Sequence, residues 1–327
     1  MIVVAKDGTG DFTSLQAAID AAEPSEVIFL RAGIYYEKLV VNKNDLCIVG
    51  EDRYNSVLCF DDYAKKHLHD GCEMGTFLTW TLLLTGKNVR IENMTIRNDA
   101  GEGSVVGQAV AAYVAGDRSL MLGCRLIARQ DTLFCGPTMK KVADYALPHI
   151  VPEGVCSVTD VIETSARHYF EDCYIEGNID YIFGPDRCWF ERCELHAVGE
   201  DPVHNGWYTA ANTPEGQKYG MVFKHCHLTG DCPDATMYLG RPWRQFASTL
   251  YLNCEMDACV NPLGFADWEN PFRPVTERYG EYGTTGSRAD LSRRHPSAKK
   301  LTSIQAEAVT LVKVLGGADG WEPARRD

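Results

Sequence analysis

The 327-residue sequence predicts an all-β chain wound into a right-handed parallel β-helix with short capping helices at its ends. Three observations predict it: a strand-sized segment that recurs with cysteine at its inward position, Gly, Asn and Asp turns between short apolar runs, and few helical patterns. Six segments share the frame: IENMTIRN from Ile91, LGCRLIAR from Leu122, EDCYIEGN from Glu171, ERCELHAV from Glu191, KHCHLTGD from Lys224 and LNCEMDAC from Leu252. Each reads as one short strand. Cys124, Cys173, Cys193, Cys226 and Cys254 take the inward position in five of them, with an apolar residue two places later, as period-2 alternation requires. The intervals of about 20 to 49 residues describe a fixed unit with variable insertions, which is the pattern of a solenoid whose turns bury their faces on one another.

The chain opens on a strand and turn, MIVVAKDGTGDF, followed by TSLQAAIDAAE from Thr13, which puts Leu15, Ala18 and Ile19 on one helical face after a cap at Thr13. That helix would cover the open N-terminal end and block edge pairing. Strands such as residues 27–30 and 46–49 follow between turn residues. A second helix is expected over SIQAEAVTLVKVLGG from Ser303, stopped by Gly316 and Gly317 and packed at the C-terminal side. No internal linker interrupts the pattern, so residues 1–327 are expected to form one domain.

Composition narrows the partners. With 32 basic and 45 acidic residues the net charge is -13, which disfavours nucleic acid, since phosphate recognition needs a basic footprint. The longest apolar stretches, around residues 82–84 and 109–115, fall short of the roughly 18 residues of a membrane span, so no membrane partner is expected. The N-terminus shows no basic region followed by an apolar core, and the thirteen cysteines are an odd number, so a reducing, cytoplasmic setting is the simpler expectation unless a leader has been removed. Four of the cysteines read as core ladder residues. Cys173 and Cys193, about one minimal coil apart, would also meet disulfide limits if strands stack about 4.8 Å apart. No CxxC or HxxxH pair occurs, and His225 and His227 flank a ladder cysteine without further ligands, so no metal site is expected.

Four polar clusters interrupt the apolar strands: GQAVAAYV from Gly107, RQDTLF from Arg129, NIDYIFG from Asn178 and YLGRPWR from Tyr238. With GIYYE at residues 33–37, they resemble the pectin methylesterase family, which shows GxYxE, QAVAL, QDTL, DFIFG and LGRPW in this order. VAKDGTGDFTSLQAAIDA, GTFLTWT, PLGFADW and ERYGEYGTTG extend the resemblance over nearly the whole chain. Ala112 replaces the leucine of QAVAL, and Pro185 and Asp186 follow Gly184 where the family has Asn or a small residue. The segment from Cys135 to Arg167, with Pro137, Pro148 and Pro152, is longer than in typical plant relatives and resembles a bacterial loop that would wall one side of the cleft.

The resemblance implies a pectin lyase-like solenoid that hydrolyses the C6 methyl ester of galacturonate residues in pectin or methylated oligogalacturonides, as a monomer and without metal or cofactor. It implies that Asp180 is the nucleophile, oriented by Arg241, that Asp131 protonates methanol and then activates water, and that Gln108 and Gln130 donate to the oxyanion. Thr81, Tyr181, Trp243 and Trp268 are the expected substrate contacts.

The residues themselves allow this chemistry. There is no GxSxG elbow and no histidine in the four clusters, so a Ser-His-Asp device lacks parts. Asp131 and Asp180 are 49 residues apart, and removing the long insertion leaves roughly one coil, so the carboxylates can stand on adjacent strands. Like charges that close raise one pKa, letting one carboxyl stay protonated while the other attacks. An arginine beside Asp180 would push the proton to Asp131. Taken singly, each residue also has a plain structural reading: glutamine ladders, an Asp131 turn, an Asp180 coil end, a core ion pair for Arg241 and packing for Trp243. Rivals on the same fold are a lyase, which would want a Ca²⁺ site, a glycosidase, which would want carboxylates spanning the glycosidic bond, and an inert carbohydrate-binding solenoid.

Overall fold

The computed structural model describes residues 1–147, 155–157, 165–200, 206–268 and 276–323. Three sheets of eleven, seven and nine strands run side by side along a coil. Each turn of chain adds one strand to each sheet: Ser119–Leu122, Arg125–Ile127 and Leu133–Cys135 are followed one turn later by Arg167–Glu171, Tyr174–Gly177 and Ile182–Gly184. Equivalent strands pair in parallel, in unbroken register. This is the expected parallel β-helix.

The repeat is a corner rather than a strand. Each of the six segments breaks into two strands belonging to different sheets, as in Arg90–Glu92 and Thr95–Asn98. The break falls at Asn93, Gly123, Asp172, Arg192, His225 and Asn253, all left-handed with φ between 50° and 60°. That conformation turns the chain and places the next residue inward, so Met94, Cys124, Cys173, Cys193, Cys226 and Cys254 are each at most 1% exposed. Left-handed backbone costs a non-glycine residue about 1 kcal/mol. Stacking offsets it: the N–H of each corner residue bonds a carbonyl of the next turn, Asn93 to Leu122 O at 3.0 Å and Asp172 to Glu191 O at 3.1 Å. A cysteine fits the tight corner and its thiol donates back to a neighbouring carbonyl, Cys173 Sγ to Met121 O at 3.3 Å. Cys173 and Cys193 are not joined by a disulfide. Inside, the rings of Phe170, Phe190, Phe223 and Tyr251 repeat the stack at 4.5 to 4.8 Å.

Two helix expectations change. The N-terminal helix Leu15–Ala21 buries Leu15, Ala18 and Ile19 as expected, but its cap is Ser14 and not Thr13. The reason is Glu37 of the GIYYE segment, whose carboxylate accepts from Ser14 Oγ and from the N–H groups of Leu15 and Gln16 at 2.9 to 3.0 Å. The single C-terminal helix is two, Ser303–Glu307 and Leu311–Leu315, because Thr310 caps the second through its hydroxyl. They lie on the outer face of the eleven-stranded sheet against Tyr169, Trp189 and Val222 instead of closing the end. Of the long insertion, Pro137 and the helix Lys140–Ala146 are described; Pro148 and Pro152 lie outside the described residues.

Candidate active site

The polar clusters converge where the chain enters the seven-stranded sheet. Asp131 lies two residues before Leu133–Cys135, and Asp180 two before Ile182–Gly184. Leu133 pairs with Ile182, so the aspartates occupy equivalent places on adjacent turns, and Asp131 N–H bonds Ile179 O at 3.0 Å. Both are left-handed, with φ of 65° and 51°. As at the corners, this breaks the in-out alternation: Thr132 and Tyr181, the residues that follow, are fully buried in the coil, while each aspartate keeps a small exposed edge of 8% and 7%.

The charges around the pair are unequal. Asp180 accepts two hydrogen bonds from one guanidinium, Arg241 Nε at 2.8 Å and Nη2 at 2.6 Å. Arg241 enters from two turns further on, through the ladder Phe183–Ala210–Arg241. Its guanidinium carbon lies 3.6 Å from the ring centre of Trp207 and 3.9 Å from that of Trp268. Burial raises both carboxyls above the ordinary range. On Asp131 the Asp180 charge adds to it and the group is pushed well above that range, whereas on Asp180 the Arg241 hydrogen bonds and charge pull the other way. A proton shared by the pair is therefore held more tightly by Asp131 than by Asp180.

Gln108 and Gln130 come from adjacent turns, joined by Ala109 N–H to Gln130 O at 3.0 Å, and both side chains are half-buried. Neither carboxamide is engaged by another described residue, so both donors remain available to a ligand. Trp243 lies half-buried on an aromatic wall, its ring 6.5 Å from Phe77 and 5.9 Å from Phe183. A cavity of about 510 Å³ adjoins this wall, with Met74, Phe77, Met139 and Lys141 among its lining. No group of three or more His, Cys, Asp or Glu side chains with metal-holding geometry occurs among the described residues.

Two expected substrate contacts are corrected. Thr81 is fully buried and its hydroxyl donates to Arg97 O at 3.0 Å. Tyr181 is fully buried in the coil interior beside Tyr208, since the left-handed Asp180 turns it inward. Trp268 does reach the site, but as a cover on Arg241. Phe77, Phe183 and Trp207 were missed. Phe77 sits in the GTFLTWT stretch and Phe183 inside NIDYIFG, yet alternation alone does not tell which aromatic faces outward; Trp207 belongs to no motif.

A family model described as Pectinesterase matches residues 1–140 and 157–318. The chain belongs to the pectinesterase family. Pectinesterase 31 of Arabidopsis thaliana is 32% identical over 317 residues, covering 94% of this chain and 89% of the relative. Pectinesterase QRT1 of the same plant is 29% identical, with 92% and 73% covered. Among solved structures, pectin methylesterase PemA from Erwinia chrysanthemi superposes with a TM-score of 0.80 at 27% identity over 99% of this chain and 98% of that one. The carrot pectin methylesterase gives 0.78 at 28% over 97% and 93%. A pectin methylesterase mutant solved in complex with a hexasaccharide also scores 0.80 at 27%, covering 99% and 98%. The bacterial character read from the insertion is not borne out, because these curated pectinesterase relatives are plant proteins. Where this chain departs from the pectinesterase pattern after Gly184, Asp186 is tied to the buried His168 Nε2 at 2.8 Å, a packing role away from the aspartate pair.

Proposed function

We propose that this chain is a pectin methylesterase in which Asp180 attacks the C6 methyl ester of a galacturonate residue and Asp131 moves the proton. The observation that carries the reading is the asymmetric pair: two buried aspartates on adjacent turns, one alone held by a bidentate arginine. Asp180 forms a bond to the ester carbonyl carbon, and the carboxamides of Gln108 and Gln130 supply hydrogen bonds to the oxyanion. The C–OCH₃ bond then breaks, methoxide takes the Asp131 proton and leaves as methanol, and a mixed anhydride with Asp180 remains. Asp131, now ionised, takes a proton from water, which opens the anhydride and returns both aspartates to their starting states. Trp243 and Phe77, backed by the buried Phe183, present apolar faces to sugar rings. The adjoining cavity is partly formed by the helix Lys140–Ala146 of the long insertion and borders the same wall.

The chain is read as acting alone, as a monomer, and its odd number of cysteines favours a reducing compartment, where methylated oligogalacturonides would be the substrate. Methanol release from methylated pectin, compared with release from defined methylated oligomers, tests the function. Methanol without new unsaturated or reducing ends supports it. Unsaturated ends, new reducing ends or no product would sustain the lyase, the glycosidase or the inert solenoid instead.

A further inference from the structure

We infer that Trp207 is a positioning residue for the reaction proposed above, one jaw of a clamp that fixes the plane of the Arg241 guanidinium. With Trp207 at 3.6 Å and Trp268 at 3.9 Å, two indoles pack against the guanidinium. At that distance a ring attracts the cation electrostatically, and stacking leaves the in-plane N–H groups free to point sideways. Two of those in-plane donors, Nε and Nη2, are the ones that meet Asp180. A guanidinium free to rotate on its stem would keep only one of the two bonds.

The backbone ties this jaw to the carboxylate's own turn. Trp207 donates its N–H to Asn178 O at 3.0 Å, two residues ahead of Asp180. Gly206 lies at φ 135°, and a Cβ there would sit 2.3 Å from that same Asn178 O and 3.1 Å from Ile179 Cα, so only glycine lets the chain come this close. The strand Gly206–Trp207 pairs with Met237–Tyr238, the approach to Arg241, and the Tyr238 ring stacks on Trp207 at 6.2 Å. Asn178, Asp180, Arg241 and Trp207 thus form a closed circuit of backbone and side-chain contacts. The Trp207 indole N–H is buried without an acceptor among the described residues, a cost that phenylalanine or leucine would avoid at a site of mere packing.

The charged groups facing Asp180 are Arg241 and Asp131, and Asp267, next to Trp268, is paired with His295 Nε2 at 3.3 Å. Because the inference rests on Asp180 as nucleophile, methanol release by the unaltered chain and its loss in Asp180→Asn are measured first and stand or fall separately. Trp207→Leu keeps an apolar side chain and removes the π face; Trp207→Tyr restores a ring. In Trp207→Leu the acidic limb of the kcat/KM–pH profile should move up by about half to one pH unit. Its kcat should fall about 5- to 10-fold with KM within about twofold, and Trp207→Tyr should recover both. A lower melting temperature with the limb in place would reduce Trp207 to packing. A raised KM with the limb in place would make it a sugar platform. Either result overturns the proposal. If Trp207→Leu does not fold, Trp268→Leu removes the other jaw and should shift the limb in the same direction; an unmoved limb there overturns it equally.

Discussion

Replacing Arg241 with alanine separates what the guanidinium does for the fold from what it does for the reaction. The substitution removes two charge-assisted hydrogen bonds, 2.8 and 2.6 Å long, from a carboxylate that is 7% exposed. Each such bond contributes about 1.5–3 kcal/mol, and stripping one partner from a buried pair costs about 3–5 kcal/mol in all. Asp180 can escape part of that cost by taking up a proton. Burial already raises its carboxyl, and without Arg241 nothing opposes the rise. The native state then binds that proton more tightly than the unfolded chain, whose aspartates titrate near about pH 4. Stability of the variant therefore falls as pH rises through the raised native pKa. Urea titrations should show a deficit of about 1 kcal/mol near pH 4 growing to about 3 kcal/mol near pH 8. Adding Asp180→Asn removes the orphaned charge and should restore about 2 kcal/mol near pH 8. Activity follows the same proton: kcat/KM should drop about 100- to 10,000-fold at neutral pH, with its acidic limb displaced upward. A deficit equal at both pH values, together with a double variant no more stable than the single one, would refute the reasoning.

Other outcomes follow from the same geometry. Asp131→Asn should slow methanol release at least about 1,000-fold yet raise stability near neutral pH by about 1–2 kcal/mol, because it relieves a buried carboxyl that Asp180 repels; thermal melts at neutral and acid pH check that the gain fades as pH falls. Cys173→Ser places a stronger hydrogen-bonding group in a stack of thiols and should cost about 1–2 kcal/mol by urea unfolding. Thiol titration of denatured, non-reduced protein should find all thirteen cysteines, whereas eleven would indicate a Cys173–Cys193 bond formed in an oxidising compartment. Chelation by EDTA should leave methanol release unchanged, and a loss restored by Ca²⁺ would contradict a reaction run by carboxylates, carboxamides and an arginine.

The solenoid was legible because its register is written in one residue type. Cysteine after each corner gave the repeat, and period-2 alternation gave the burial of Leu126, Ile175, Leu195 and Leu228. The corner was not legible: Asn93, Gly123, Asp172 and His225 suit left-handed backbone, but Arg192 carries no such signature, and the stacked backbone together with its ion pair to Asp172 of the preceding turn holds it there. The same blindness explains Tyr181. A single left-handed residue at Asp180 inverts which neighbours face the cleft, and sequence spacing cannot show an inversion. The aspartate pair survived that uncertainty because the insertion falls wholly between the two turns, so its length does not disturb their stacking. Trp207 escaped because its role comes from a contact across two turns, beside a glycine whose necessity is visible only in three dimensions.

The division of labour between Asp180 and Asp131 is tested most directly by changing the leaving group. Methyl galacturonate esters need a proton for methoxide, whereas an aryl or trifluoroethyl ester departs with little help. Asp131→Asn should be slowed at least about 1,000-fold on the methyl ester and recover to within about tenfold of the unaltered enzyme's rate on the activated one. Asp180→Asn should stay inactive on both, since no nucleophile remains to be rescued. Rescue of Asp180→Asn but not of Asp131→Asn would reverse the two roles, and full activity of either variant on the methyl ester would contradict the paired-carboxylate reaction itself.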